Sequence, residues 1–241
     1  MKLYRDLASW FHLLTAPEDY AEEAAAYVAL VRRHARRPVE TLLELGAGGG
    51  NNASHYKAHF RATLTDISPE MLEIGRRLNP ECEHRLGDMR SLRLGQEFDA
   101  VLVHDAVMYM TSEADLRAAM ETAFTHLAPG GVALFVPDVV RESFLAATSH
   151  GGHDGEGRSL RYLEWTRDLD PDDTTYEVDF ALLLSEEGEP TRFEHDRHVF
   201  GLFAEADWLR WLRAAGFEAS LHRERLSDGT TLEVFVAVRP G

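Results

Sequence analysis

The chain has 241 residues, of which 44% are hydrophobic, enough to bury the core of one α/β domain with a modest insertion. A formal net charge of −16 argues against nucleic acid, whose binding draws on clustered Lys and Arg, and favours a small-molecule partner. The lone Cys82 excludes an internal disulfide framework. With no basic start and apolar h-region and no run of membrane-spanning length, a cytoplasmic protein off the membrane is expected, monomeric or homodimeric.

Leu3, Tyr4, Leu7, Trp10, Phe11 and Leu14 repeat at i, i+3, i+4 and i+7, which predicts an amphipathic helix over Met1–Leu14 that needs a surface to cover. Pro17, Glu18 and Asp19 open a second helix, continuing from Tyr20 to Arg36 until Pro38 stops it.

Thr41, Leu42, Leu43 and Leu45 then form the apolar run of a strand buried on both faces, which enters Gly46, Gly48, Gly49 and Gly50. Such a loop can bend sharply and bring its backbone against a ligand, and Asn51 and Asn52 are good caps for a helix reaching Phe60. Glycine spacing alone also fits a dinucleotide site. Glu44, however, would repel a diphosphate, which disfavours a nicotinamide-dependent oxidoreductase, and it suits a ligand carrying an ammonium and a sulfonium. The second strand, Ala62–Thr65, ends in Asp66, placed to grip a ribose through both hydroxyls. Both carboxylates fit S-adenosylmethionine.

A helix follows from Ser68, with Ser68 as N-cap and Pro69 at the first helical position, to Leu78, and a third strand spans Glu83–Leu86. Met71 either packs an adenine ring or fills core. Strands alternating with helices imply a parallel sheet with right-handed crossovers, in which ligands sit outside the carboxyl ends of the strands. Gly87-Asp88-Met89 therefore converges with Gly46 and Asp66 on one crevice, with Asp88 toward the adenine amino group. The fourth strand, Phe98–Val103, ends at His104-Asp105-Ala106-Val107-Met108-Tyr109 beside the first strand, at the topological switch point. Donor and acceptor would meet there, with His104, Asp105 and Tyr109 nearest the chemistry.

These motifs resemble the class I S-adenosylmethionine-dependent methyltransferases: Glu44-Leu45-Gly46-Ala47-Gly48-Gly49-Gly50, Asp66, Gly87-Asp88-Met89-Arg90, Phe98-Asp99-Ala100-Val101 leading to His104-Asp105, and Leu127-Ala128-Pro129-Gly130-Gly131, in order over residues 40 to 138. The resemblance implies a doubly wound, mainly parallel seven-stranded sheet. It also implies S-adenosylmethionine held by Glu44, Gly46, Ala47, Gly48, Asn51 and Asp66, with Ile67, Met71, Asp88, Met89, His104 and Asp105 completing the contact set. Leading helices in this family commonly form a lid, so Tyr4, Trp10 and Tyr20 either line the pocket or pack on the sheet.

A helix over Ser112–Leu127 and a fifth strand, Gly131–Val136, precede a change of composition. Residues 150–157 read as a flexible, histidine-bearing loop, and Arg161–Trp165, Thr174–Leu184 and Thr191–Phe200 as strands of a small antiparallel insertion capping the pocket. His150 and His153 are candidate substrate contacts rather than metal ligands, and no metal is expected. His195 and His198 fall on opposite strand faces, so at most one points into the pocket. The insertion, with Phe193, Asp196, His198 and Leu202-Phe203, and Asp19-Tyr20-Ala21 earlier, is similar to the dimethylating amino-sugar N-methyltransferases along nearly the whole chain, and this favours His198. Where that group places a Tyr-Asp pair near the N-terminus, this chain carries Trp10-Phe11, and its fourth strand ends in His-Asp-Ala.

A helix over Ala204–Ala215 ended by Gly216, then strands Phe217–His222 and Leu232–Val238, one antiparallel, close the sheet. One domain is expected: lid helices 1–38, cofactor core 39–148, cap insertion 149–200 and completing strands 201–241. The expected function is in-line methyl transfer to a nitrogen or oxygen of a small acceptor. His104, His198 and Tyr109 are the candidate catalytic residues, and His104, His150, His153 and His198 the local bases should the acceptor be a hydroxyl. The alternative is a module that binds S-adenosylmethionine without turnover.

Overall fold

A computed structural model describes residues 1–241. The helices are α1 (Phe11–Leu14), α2 (Ala21–His34), α3 (Ala53–Tyr56), α4 (Pro69–Leu78), α5 (Glu113–His126) and α6 (Glu205–Ala214). The first five strands are β1 (Thr41–Leu45), β2 (Arg61–Asp66), β3 (Glu83–Leu86), β4 (Phe98–His104) and β5 (Leu127–Val136). The cap strands are β6 (Ala147–Gly151), β7 (Asp154–Gly155), β8 (Arg158–Arg167), β9 (Thr175–Glu186) and β10 (Arg192–Gly201), and β11 (Glu218–Arg225) and β12 (Thr231–Val238) finish the chain.

The seven-stranded sheet has the order β11-β12-β5-β4-β1-β2-β3, and only β12 runs against its neighbours. Strand alternation feeds two apolar layers. Leu43, Leu45, Val101, Val103, Phe135 and Phe235 face α5 and α6, where Trp208 stacks on Phe235. Leu42, Leu64, Ala100, Leu102, Leu134 and Val236 face α2 through Tyr27, Val28, Leu30 and Val31. Chain reversal between β1 and β4 leaves the strand ends open at one edge, which is where the site lies. The expected Ser68 cap is present, its Oγ accepting the Met71 amide at 3.1 Å. No helix is long and apolar enough to cross a membrane.

The structure departs from the sequence expectations in three places. Met1–Leu14 is not one helix: turns lead into a short 3₁₀ segment, Ala8–Trp10, and the single turn α1. Leu3 donates its amide to Asp196 Oδ2 at 2.8 Å, and Leu7 and Trp10 bury against Leu160, Leu182 and Leu184 of the cap, so tertiary partners override the helical period. The helix after the glycine loop is only one turn, because Asn51 and Asn52 spend their side-chain amides on the Thr15 carbonyl and on Glu23 rather than on capping. Residues 150–157 are not a loop: β6 and β7 both pair with β8, giving a five-stranded antiparallel cap of order β10-β9-β8-β6 with β7 on β8.

Candidate active site

The strand ends, the N-terminal segment and the inner face of the cap enclose one cavity of about 1400 Å³. On the cofactor side, Gly46, Gly48 and Gly50 adopt φ of 79°, 53° and 78°, so the loop curls in a conformation that side chains disfavour. A Cβ on Gly46 would fall 2.4 Å from the Ala106 Cβ, whereas one on Gly48 would make only ordinary contacts, 3.8 Å from Met71 and 3.9 Å from Phe11. Asp66 Oδ2 accepts the Gly48 amide at 2.9 Å and Oδ1 the Ser68 amide at 2.8 Å. Burial pushes its pKa up against those amides. Glu44 is 3% exposed and accepts the Tyr56 hydroxyl; burial pushes it up to about 7.

These groups fit S-adenosylmethionine. Two carboxylates retain lone pairs at the wall, and the loop between them is cleared of side chains. Ala47, Ile67, Met71 and Met89 line the same side. Asp88 does too, although Arg90 engages both of its oxygens and holds its pKa below the usual range.

Over the switch point sit His104, Asp105 and Asp138, the last just beyond β5. Asp105, at φ 42°, is the one residue other than glycine with positive φ, a strain of order 1–3 kcal/mol stored where the ligands meet. His104 Nε2 lies 3.0 Å from Asp105 Oδ1 and 3.3 Å from Glu23 Oε1, and the Asn52 amide closes off Nδ1 at 3.2 Å. Burial opposes charge on the ring, but the two carboxylates outweigh it and hold its pKa well above the ordinary value. Neither ring nitrogen has a lone pair aimed at the cavity. The arrangement makes His104 a brace for Asp105, not the base the sequence suggested. Desolvation by the cavity walls and the neighbouring Asp105 push Asp138 up, while the His104 charge holds Asp105 low; both side chains remain open to the cavity.

Tyr4, Tyr20, Tyr109, His153 and His198 also reach the wall. His153 Nε2 lies 3.1 Å from Asp19 Oδ2. His195 points outward to Asp179, as the alternation required of one of the pair. Two expected substrate contacts are placed elsewhere. Trp10 is 2% exposed in the cap core, with the Arg158 guanidinium 3.7 Å over its ring. His150 pairs in register with Leu163 on the outer face of the cap, away from the cavity. The sequence reading missed Asp138 and Glu164 as wall residues. Asp138 follows a strand end as Asp66 does, and Glu164 is set by the alternation of β8; both signals were present.

A family model described as a methyltransferase domain matches residues 42–131. The chain is 30% identical over 218 residues to the dTDP-3-amino-3,4,6-trideoxy-α-D-glucopyranose N,N-dimethyltransferase of Streptomyces venezuelae, covering 83% of this chain and 84% of that one. Among solved structures, Streptomyces venezuelae DesVI superposes with a TM-score of 0.86 at 26% identity over 98% of this chain and 99% of that one. CalS10, an amino pentose methyltransferase from Micromonospora echinaspora solved with S-adenosylmethionine bound, gives 0.78 at 26% identity over 91% of each. Fold, site and relatives define a methyltransferase that turns its cofactor over, and the reading as a binding module without turnover is set aside. The chain belongs to the class I S-adenosylmethionine-dependent methyltransferases, in the branch that includes sugar N,N-dimethyltransferases.

Proposed function

We propose that the acceptor is an amino nitrogen on a small sugar, as the names of the relatives suggest. One observation carries this reading: the acceptor side of the cavity presents Asp105, Asp138 and Glu164 among Tyr109, Tyr162 and Tyr176, with no Lys or Arg. The wall's two arginines belong to the cofactor side. Arg90 lies on Asp88, and Arg5 shares a second pocket with Pro69 and Glu70 of α4. Three carboxylates against the single His104 charge, with no Lys or Arg beside them, favour an ammonium, and ringed hydroxyls suit sugar oxygens.

S-adenosylmethionine, when bound, supplies an electrophilic methyl on a sulfonium. The chain's own work is to hold the acceptor in line, through the Asp66-braced loop on one side and the Asp105–Asp138 pair on the other, and to exclude water with the N-terminal segment and cap. The single-domain organisation, with 1–38 and 149–200 covering a 39–148 core, belongs to this proposal. Incubation of the protein with labelled S-adenosylmethionine and dTDP-3-amino-3,6-dideoxy-α-D-glucopyranose is expected to yield a product one or two methyl groups heavier on nitrogen. Labelling of a hydroxyl instead would reject the amine assignment.

A further inference from the structure

Four side chains on the acceptor side form one hydrogen-bonded line. Asp196 Oδ2 lies 3.1 Å from His198 Nε2, His198 Nδ1 lies 2.7 Å from the Tyr109 hydroxyl, and that hydroxyl lies 2.9 Å from the hydroxyl of Tyr4. Three elements contribute. Asp196 and His198, two apart on β10, share its inner face; Tyr109 ends the 3₁₀ turn after β4; Tyr4 comes from the N-terminal segment. Both tyrosines line the cavity; His198 also reaches its wall but is only 1% exposed, and Asp196 is 7% exposed.

The charge states of Asp196 and His198 set the direction in which the line would carry a proton. The Leu3 amide and His198 hold Asp196 below the usual carboxylate range despite its burial, so it has no proton to give. His198 Nε2–H therefore donates to Asp196, which leaves Nδ1 to accept from the Tyr109 hydroxyl. Tyr109 donates to the Tyr4 oxygen in the structure; with its one proton turned onto Nδ1 it instead accepts from Tyr4, whose oxygen then keeps a lone pair for the cavity. A carboxylate behind one ring nitrogen and a proton donor before the other is the arrangement that makes an imidazole a base. Burial lowers the pKa of His198 and so keeps the ring in its neutral, accepting form.

We propose that Tyr4, Tyr109, His198 and Asp196 form a proton relay that takes a proton from the bound acceptor ammonium. The proposal rests on the amine reading above. An N–H bond of the ammonium breaks and its proton passes to the Tyr4 oxygen, as the Tyr4 proton moves to Tyr109 and the Tyr109 proton to His198 Nδ1. The charge ends as an imidazolium beside the Asp196 carboxylate, with both tyrosines neutral as they began. The freed nitrogen lone pair then forms the N–C bond as the methyl C–S bond breaks and its electrons stay on sulfur. After product leaves, the same hops reversed return the proton to water entering the cavity. Burial raises the pKa of both tyrosines, which favours concerted transfer without a phenolate. The charged groups around the line are Asp196 and the chain's amino terminus at the His198 end, and Asp66, Asp105 and Asp138 across the cavity from the tyrosines.

The test compares wild type with Tyr109→Phe and His198→Asn on dTDP-3-amino-3,6-dideoxy-α-D-glucopyranose across pH, with the methylated atom identified by mass fragmentation. Tyr109→Phe is expected to lower kcat roughly 100-fold with KM nearly unchanged. Its acid limb should move up toward the acceptor amine's own pKa, because only amine deprotonated in water can then react. Binding of S-adenosylhomocysteine should stay within about twofold. A line that merely latches the N-terminal segment would lower the thermal midpoint and leave the limb in place, and that result overturns the relay. Nitrogen-15 NMR of the His198 ring in the S-adenosylhomocysteine complex needs no acceptor. An Nε2–H ring with bare Nδ1 at neutral pH supports the relay, and a proton resting on Nδ1 overturns it. Methylation of oxygen by the wild type would remove the amine reading and the proposal with it, an outcome told apart by the product alone.

Discussion

Asp66 Oδ2 accepts the backbone amide of Gly48 at 2.9 Å, so the acid at the end of β2 holds the glycine loop that leaves β1. One side chain thus shapes the cradle and presents its remaining lone pairs to the ligand. Asp66→Ala removes both functions. Its affinity for S-adenosylhomocysteine is expected to fall roughly 30-fold, about 2 kcal/mol, in calorimetric titration. Unchanged affinity would take the ribose contact away from Asp66.

Glu44 makes binding pH-dependent. Its pKa in the folded, ligand-free protein is raised to about 7, so folded protein keeps a proton that the unfolded chain has lost. Stability from this group is full below the ordinary value of 4.5 and is lost as pH rises toward 7, a cost on the order of 3 kcal/mol. A bound ammonium reverses the preference by favouring the carboxylate. Affinity for S-adenosylhomocysteine should therefore rise with pH up to about 7, with proton release visible in buffers of different ionisation enthalpy. Glu44→Gln should bind more weakly and without that slope. A slope that survives the substitution would assign the proton to another group.

What could be read in the sequence was local chemistry. Gly46 and Gly48 do take positive φ, β3 runs from Glu83 to Leu86 as its pattern predicts, and Ser68 caps α4 through its own hydroxyl. The rest depended on distant partners. Met1–Leu14 has a helical period, yet its residues face two surfaces, Tyr4 and Phe11 the cavity and Leu7 and Trp10 the cap. Ala147–Gly151 carries no apolar alternation and is a strand only because its backbone pairs with β8. His104 looked like a base because Glu23, which engages it from α2, lies far away in sequence.

Trp10 provides a separate check on the N-terminal segment. Deleting residues 1–14, which the sequence alone would recommend as a test of the lid, would also expose the cap core at Leu160, Leu182 and Leu184. Trp10→Ala is the sharper change. It should cost about 3–5 kcal/mol in chemical denaturation while leaving S-adenosylhomocysteine affinity intact, because the ring touches Arg158 and the cap leucines rather than the cavity. Selective loss of acceptor affinity in a protein of normal stability would return Trp10 to the substrate site.

Asp138 decides whether the cavity recognises charge. It stands just beyond β5, opens onto the cavity, and has Asp105 and Glu164 near enough to act on it. The enclosing cavity walls and the Asp105 carboxylate push its pKa up although the side chain itself is exposed to the cavity, and an arriving ammonium opposes that shift by favouring the carboxylate. The sign follows: affinity for an amine acceptor should weaken as pH falls, since Asp138 then keeps its proton and the ion pair is lost. Asp138→Asn keeps the shape and removes the charge. Its KM for the amino sugar should rise about 10-fold or more, with S-adenosylhomocysteine affinity unchanged, because the cofactor groups Glu44 and Asp66 lie on the other side of the switch point. The same sugar nucleotide with a hydroxyl in place of the amine, tested as an inhibitor, separates charge from packing. Wild type should prefer the amine and Asp138→Asn should lose that preference, whereas equal weakening of both ligands would mean that the pocket reads shape and not charge.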